Sequence, residues 1–252
     1  MKLAPLDNSV VFKKLFTDME VFKAFVYDLL GIQVEPDTIE TEKSFYPPAG
    51  SIDLRLDIFA EDIKNRIVIE IQRIKYDYHT DRFLHYFLAS ILELQRNYKD
   101  YPVRKTVYTI VWLTAPDNFK KDIIRTSFQS EAEDGDHIPI YPHKLIFLNP
   151  NYLNSQTPAG VKDWMELVQE SIDHPERPKV NENRAIIKRA CDMIYDERFS
   201  PDELRIMLEE NGYENHLKKQ WEEGLEEGIK EGKKEGLEEG KLEGLEEGKL
   251  EG

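Results

Sequence analysis

The stretch SIDLRLDIFAEDIKNRIVIEIQR, Ser51 to Arg73, decides the fold, because it reads as two β-strands that each carry acidic residues. In the first, Leu54, Leu56 and Ile58 alternate with Asp53, Arg55 and Asp57, so a period of two sets both carboxylates opposite the aliphatic face. In the second, Ile67, Ile69 and Ile71 alternate with Val68, Glu70 and Gln72. The connector Glu61 to Asn65 is short and polar, which suits a hairpin. A turn centred between Ile63 and Lys64 places Asp57 directly opposite Glu70. Like charges facing each other across an antiparallel pair repel, and burial raises the cost. A divalent cation between them reverses the sign. Mg²⁺ takes one or two carboxylates and keeps several waters, so Asp57 and Glu70 form a plausible hard-cation site.

Working outward, Tyr78 to Tyr98 reads as a long helix with Phe83, Tyr86, Phe87, Ser90, Ile91 and Leu94 on one side. Arg82 and Tyr86, four apart, share a face. Lys105 to Leu113 is a nearly continuous apolar, β-branched run typical of an interior strand, and Lys144 to Asn149 is another. Before the hairpin, Val10 to Leu30 has helical apolar spacing stopped by Gly31. Asp37 to Tyr46 reads as a strand ended by Pro47-Pro48-Ala49-Gly50. The order is αβββαβ, an α/β fold.

These residues resemble a known family. Asp57 followed by Glu70-Ile71-Gln72 is similar to the core motif of the PD-(D/E)xK phosphodiesterases, with Gln72 where those enzymes carry a lysine. Gln at that place, the opening Asp7-Asn8-Ser9-Val10-Val11-Phe12-Lys13-Lys14-Leu15-Phe16, and Asp81-Arg82-Phe83-Leu84-His85-Tyr86 together resemble the recombination-promoting nuclease or putative transposase (Rpn-like) group. The resemblance covers roughly residues 7 to 150. It implies a restriction-endonuclease-like core, a mixed sheet flanked by helices, with a helical C-terminal extension. It implies a Mg²⁺- or Mn²⁺-dependent DNA endonuclease linked to recombination, transposition or defence against foreign DNA. Asp57 and Glu70 then bind metal, and Gln72 orients the attacking water. Asp53, Arg82 and Tyr86 are secondary candidates. A neutral amide cannot supply a lysine's charge; it binds only by hydrogen bonds.

Other readings of the same residues stand beside this one. Alternating acids on a strand also describe a solvated sheet face, Arg55 can simply pair with Asp53, and Arg82 and Tyr86 also fit a surface charge and a core residue. The formal charge of −15 argues against a strong non-specific grip on nucleic acid. From Glu222 to Gly252, however, 12 Glu and 5 Lys contribute −7 of it. Lys64, Arg66, Arg73, Lys75 and Arg82 offer a limited basic patch or ordinary solvated charges.

With 252 residues and 40% hydrophobic content, the chain can hold one α/β domain plus a helical appendage. It shows no signal-like start and no apolar run able to span a bilayer, so a cytoplasmic location is expected. Cys191, the single cysteine, leaves no intrachain disulfide and reads as a buried thiol among Ile186, Ile187, Ala190 and Ile194. The six histidines are scattered, and none is assigned to metal. Pro158 to Pro178 reads as a helix with Val161, Trp164, Met165, Leu167 and Val168 inward, and Asn183 to Arg198 and Pro201 to Asn211 as two more. A domain is expected over 1–175, a helical extension over 176–221 and a low-complexity tail over 222–252.

In the tail, Glu-Gly recurs every four residues from 223–224 to 251–252. Each Gly costs about 1 kcal/mol against Ala in a helix, which predicts weak helicity and a mobile acidic tail. The alternative is a self-associating helix that makes a homo-oligomer, since Gly permits close helix approach. A second class of function follows from it: a catalytically degenerate nuclease fold acting as a protein-interaction module through its repeats.

Overall fold

The apolar run from Val10 to Leu30 folds as two helices. In the computed structural model, which describes residues 2–45, 54–73, 80–95, 103–128 and 130–250, α1 spans Ser9–Phe16 and α2 spans Met19–Leu30. Asp18 makes the break: its carboxylate accepts from the backbone N–H groups of Glu20 and Val21, and that cap fixes a new helix start. Gly31, at φ 70, closes α2 in the left-handed conformation that a side chain disfavours.

Strands β1 (Ile39–Phe45), β2 (Leu54–Glu61) and β3 (Asn65–Gln72) run antiparallel in turn. Helix α3 (Thr80–Leu92) then leads into β4 (Thr106–Leu113), parallel to β3. The sheet is completed by β5 (Ile123–Ser127) and β8 (Lys144–Leu148) in the order β1-β2-β3-β4-β8-β5, while β6 (Ser130–Glu131) and β7 (His137–Ile138) form a separate pair. The protein is thus α/β with a mixed six-stranded sheet between helices. Strand β5 escapes sequence reading because it is a short edge strand whose outer residues are polar and exposed.

Strand β4 is apolar along its length because both its faces are covered. Val107, Val111 and Leu113 meet Phe83 and Phe87 of α3. Ile110 and Trp112 face α1, α2 and α4 (Ala159–Asp173), where the Phe25 ring lies 5.5 Å from Trp112 and 5.8 Å from Trp164. The residues expected inward on α4 are those buried there.

The boundary expected near Glu176 has no counterpart in the packing. Ile187, Ala190, Cys191 and Ile194 of α5 (Ala185–Ile194), then Phe199 and Met207, join the same core. The N-terminal segment binds across this region, with Leu3 N–H donating to Pro175 O at 2.9 Å and Ala4 N–H to Ile194 O at 2.7 Å. The first compact unit runs to Met207, and Leu208–Gly252 is a second. Cys191 is buried, which pushes its thiol up to about 12 and leaves it unreactive.

Ser200 and Glu203 bond each other's backbone N–H at 2.7 and 3.2 Å, a capping box with Pro201 at the first helical position. From there α6 runs as one helix, Pro201–Leu250. The expected weak helicity of the repeats is therefore not what is observed. Glu, Lys and Leu, all good helix formers, fill most positions between the glycines and offset their cost. Among the described residues no helix is long and apolar enough to cross a membrane.

Candidate active site

Strands β2 and β3 meet in a turn that the Asp62 carboxylate organises by accepting from Lys64 and Asn65 N–H at 2.8 and 2.7 Å. Pairing runs from Glu61↔Arg66 to Ile58↔Ile69, the register of a turn centred between Ile63 and Lys64, and there it stops. Beyond that point β2 stays with β1 as far as Leu54 and β3 stays with β4 as far as Gln72. The sheet divides between β2 and β3, and Asp57 and Glu70 stand opposite each other at the fork.

Their carboxylates take over where the ladder ends. Asp57 N–H donates to Glu70 Oε1 at 3.1 Å, and Ile71 N–H donates to Asp57 Oδ2 at 3.0 Å. The strict alternation expected for β2 does not hold through this point. Leu54 and Leu56 pack with Phe59, Val68 and Tyr86, whereas Ile58 packs in the core beneath α1 and α2. The face pattern shifts by one residue at Asp57, because its side chain turns toward the neighbouring strand's backbone. Across β1, Glu42 falls opposite Asp57 in the register and has φ 56, a left-handed conformation costly for a non-glycine residue.

Glu70 is buried and Asp57 half-buried. Burial, and then the Asp57 charge, push the Glu70 carboxyl well above the ordinary range. Burial also raises Asp57, against the lowering effects of the Ile71 N–H, Lys13 and Arg82. The Asp57 charge thus opposes the ionisation of Glu70, and that of Glu42 opposes the ionisation of Asp57, in a site where solvent offers little relief.

Gln72 is buried with its Oε1 accepting from Arg82 Nη1 at 3.3 Å. Arg82 Nε in turn donates to Tyr86 Oη at 3.0 Å, and the guanidinium lies over the Tyr86 ring at 5.2 Å. Tyr86 is both core residue and partner of Arg82, joining two readings that the sequence left as alternatives. Asp57, Glu70, Gln72, Arg82 and Tyr86 therefore come together; Asp53 lies outside the described residues.

The basic patch is arranged differently from expectation. Lys64 sits in the turn at the far end of the hairpin, Arg66 is buried in ion pairs with Glu61 and Glu93, and Arg73 pairs with Asp7 at 2.9 Å. Lys75 lies outside the described residues. Of the five, Arg82 is the one whose charge both carboxylates feel; the second such cation is Lys13 of α1. Helical spacing alone gave no signal for Lys13, a polar residue between Phe12 and Phe16.

Among the described residues no group of three or more His, Cys, Asp or Glu is placed to hold a metal ion. An all-oxygen pair of opposed carboxylates nevertheless has the donor chemistry of a hard dication that keeps most of its waters. A cavity of about 590 Å³ lies elsewhere: Lys14, Lys188 and Arg198 line it, and none of the site residues does. Two of its charges are already spent, Lys14 on Glu203 and Arg189 on Asp18. No family model matches the chain, and no curated protein matches it.

Proposed function

We propose that the chain is a Mg²⁺- or Mn²⁺-dependent DNA endonuclease of the PD-(D/E)xK type, in the Rpn-like group, serving recombination, transposition or defence against foreign DNA in the cytoplasm. The observation that carries this reading is the pair of mutually repelling carboxylates, Asp57 and Glu70, set where the ladder between β2 and β3 stops. A structural ion pair would join opposite charges; like charges held together in a buried place favour a cationic ligand.

In this reading Asp57 and Glu70 are the metal's protein ligands. A divalent cation held there would supply an acidified water and neutralise charge on the phosphate. Gln72, its carbonyl oxygen fixed by Arg82, orients the nucleophile by hydrogen bonding. Tyr86 holds the Arg82 guanidinium through its hydroxyl and its ring, so a solvent-facing cation stays near the fork. Incubation of supercoiled plasmid with Mg²⁺ or Mn²⁺ is expected to give nicking that Glu70→Ala lacks. Metal at 100 times its dissociation constant should stabilise the folded protein by about 2.7 kcal/mol. Absence of both effects in folded protein sinks the reading.

One observation favours the second reading, an interaction module built on the repeats. A Cβ on Gly224, Gly228, Gly232, Gly236 or Gly240 of α6 would meet nothing within 4 Å among the described residues, so none of these requires glycine there. Leu225, Ile229 and Leu237 on the same helix are exposed. Removal of 222–252 should then lower the mass measured by light scattering while leaving plasmid nicking unchanged.

A further inference from the structure

Strand position 72 carries a neutral amide whose oxygen is engaged by Arg82. Whatever cation meets the phosphate must come from another element. We propose that Lys13 of α1 supplies it, holding a substrate phosphate against the Asp57–Glu70 pair; this rests on the phosphodiesterase reading above.

The argument is geometric. The Lys13 ammonium stands 2.7 Å from Glu42 Oε1, and Glu42 falls opposite Asp57 across β1 and β2. Lys13 thus reaches the fork from the helical layer over one face, while Arg82 on α3 reaches it from the other. Only the second is committed to site residues, Gln72 and Tyr86. Lys13 keeps 22% of its side chain exposed, so an arriving anion can touch it.

Glu42 makes the exchange inexpensive. Its carboxylate is shared between Lys13 and Arg55, which hydrogen-bonds the other oxygen. When the ammonium turns from Glu42 to a phosphate oxygen, Glu42 keeps Arg55 as its partner and is not left as an uncompensated charge. Glu42, whose carboxylate meets both cations, also holds a left-handed backbone, a costly conformation for a non-glycine residue. Lys13 therefore waits in a partly exposed pair with Glu42. A phosphate, carrying more charge and more acceptor oxygens, is the better partner.

The test compares wild type, Lys13→Met and Lys13→Arg, each shown to be folded by its thermal transition. Three quantities are read: plasmid nicking in Mn²⁺, affinity for a labelled DNA duplex in Ca²⁺ by fluorescence anisotropy, and Mn²⁺ affinity by calorimetry. Lys13→Met should lower nicking about 10²-fold and reduce the salt slope of duplex binding by about one. It should also raise Mn²⁺ affinity about threefold or more, because a cation beside the carboxylates is gone. Lys13→Arg should retain most duplex binding. A Lys13→Met protein that nicks and binds duplex like wild type overturns the proposal while the nuclease reading stands. If wild type itself fails to nick, the nuclease reading falls, and the duplex and Mn²⁺ arms still decide Lys13. A purely structural role would lower Mn²⁺ affinity along with everything else, which also overturns it.

Discussion

The two ends of the β2–β3 hairpin bury charge in opposite ways. At the turn end, the Arg66 guanidinium, 3% exposed, bonds Glu61, Glu93 and the Ser90 carbonyl and lies over the Phe45 and Phe59 rings. Burial tends to raise the Glu61 carboxyl, but Arg66 and Lys105 together outweigh it and bring the group below its ordinary range. At the fork, two carboxylates face each other and both are driven up. One hairpin therefore carries a closed network that stabilises the fold, and, about four residues along each strand, an open one that the fold tolerates. A charge buried with its complement is structural; charges buried against their like need a ligand.

The contrast can be broken by experiment, beginning with the fork. If the proposed function holds, Asp57→Asn removes one of the two metal-binding carboxylates and should cut metal-dependent nicking by several kcal/mol of barrier, about 10³-fold, in a protein that still melts cooperatively. Nicking within tenfold of wild type would place the active site elsewhere. At the turn end the damage should be to stability instead. Arg66→Met strands Glu61 and Glu93 beside the Ser90 carbonyl and should cost about 2 kcal/mol or more in urea unfolding. An unchanged midpoint would mean that partial exposure of the two glutamates compensates for the lost partner.

Titration should separate the two ends by sign. Glu70 is raised in the folded state, so the native protein holds a proton that the unfolded chain releases. Metal-free stability should fall as pH climbs from the ordinary carboxylate range through the raised value. Glu70→Gln removes that loss and should be the more stable protein at pH 8, with the gain vanishing below the ordinary range. Glu61 is lowered, so its contribution is present above the unfolded value and disappears as pH falls through the folded one. Glu61→Gln should therefore destabilise at neutral pH and do little in acid. Parallel slopes for the two variants would erase the distinction. Smallest of all, Tyr86→Phe deletes one hydrogen bond to Arg82 and should cost about 1 kcal/mol, read as a few-fold loss in nicking with the melting temperature nearly unchanged.

Much of this was legible in residues alone. The alternation of Ile67, Val68, Ile69 and Glu70, together with a polar connector of fixed length, set the hairpin register. That register put Asp57 across from Glu70 before any tertiary contact was known. Apolar spacing likewise gave the inward face of α4, and the run Lys105 to Leu113 gave the interior strand. These are local signals, fixed by periods of two and of 3.6 residues that hold wherever the element packs. The break at Asp18 was hidden, because apolar spacing continues across it while the cap is a polar detail. The helical tail was hidden for a different reason: glycine's cost is visible residue by residue, while the helix is a sum over its whole length.

What the sequence determined, then, is which residues of β3 alternate, where the hairpin turns and which carboxylates lie opposite. Only the tertiary structure decided that the sheet divides at Ile58↔Ile69, that Lys13 and Arg82 reach the fork from separate layers, and that Arg66 is spent on Glu61 and Glu93. The physical reason is range. Hydrophobic periodicity acts between neighbours in the chain, whereas the field at a buried carboxylate is set by whichever charges the packing brings near it, here from α1, β1 and α3.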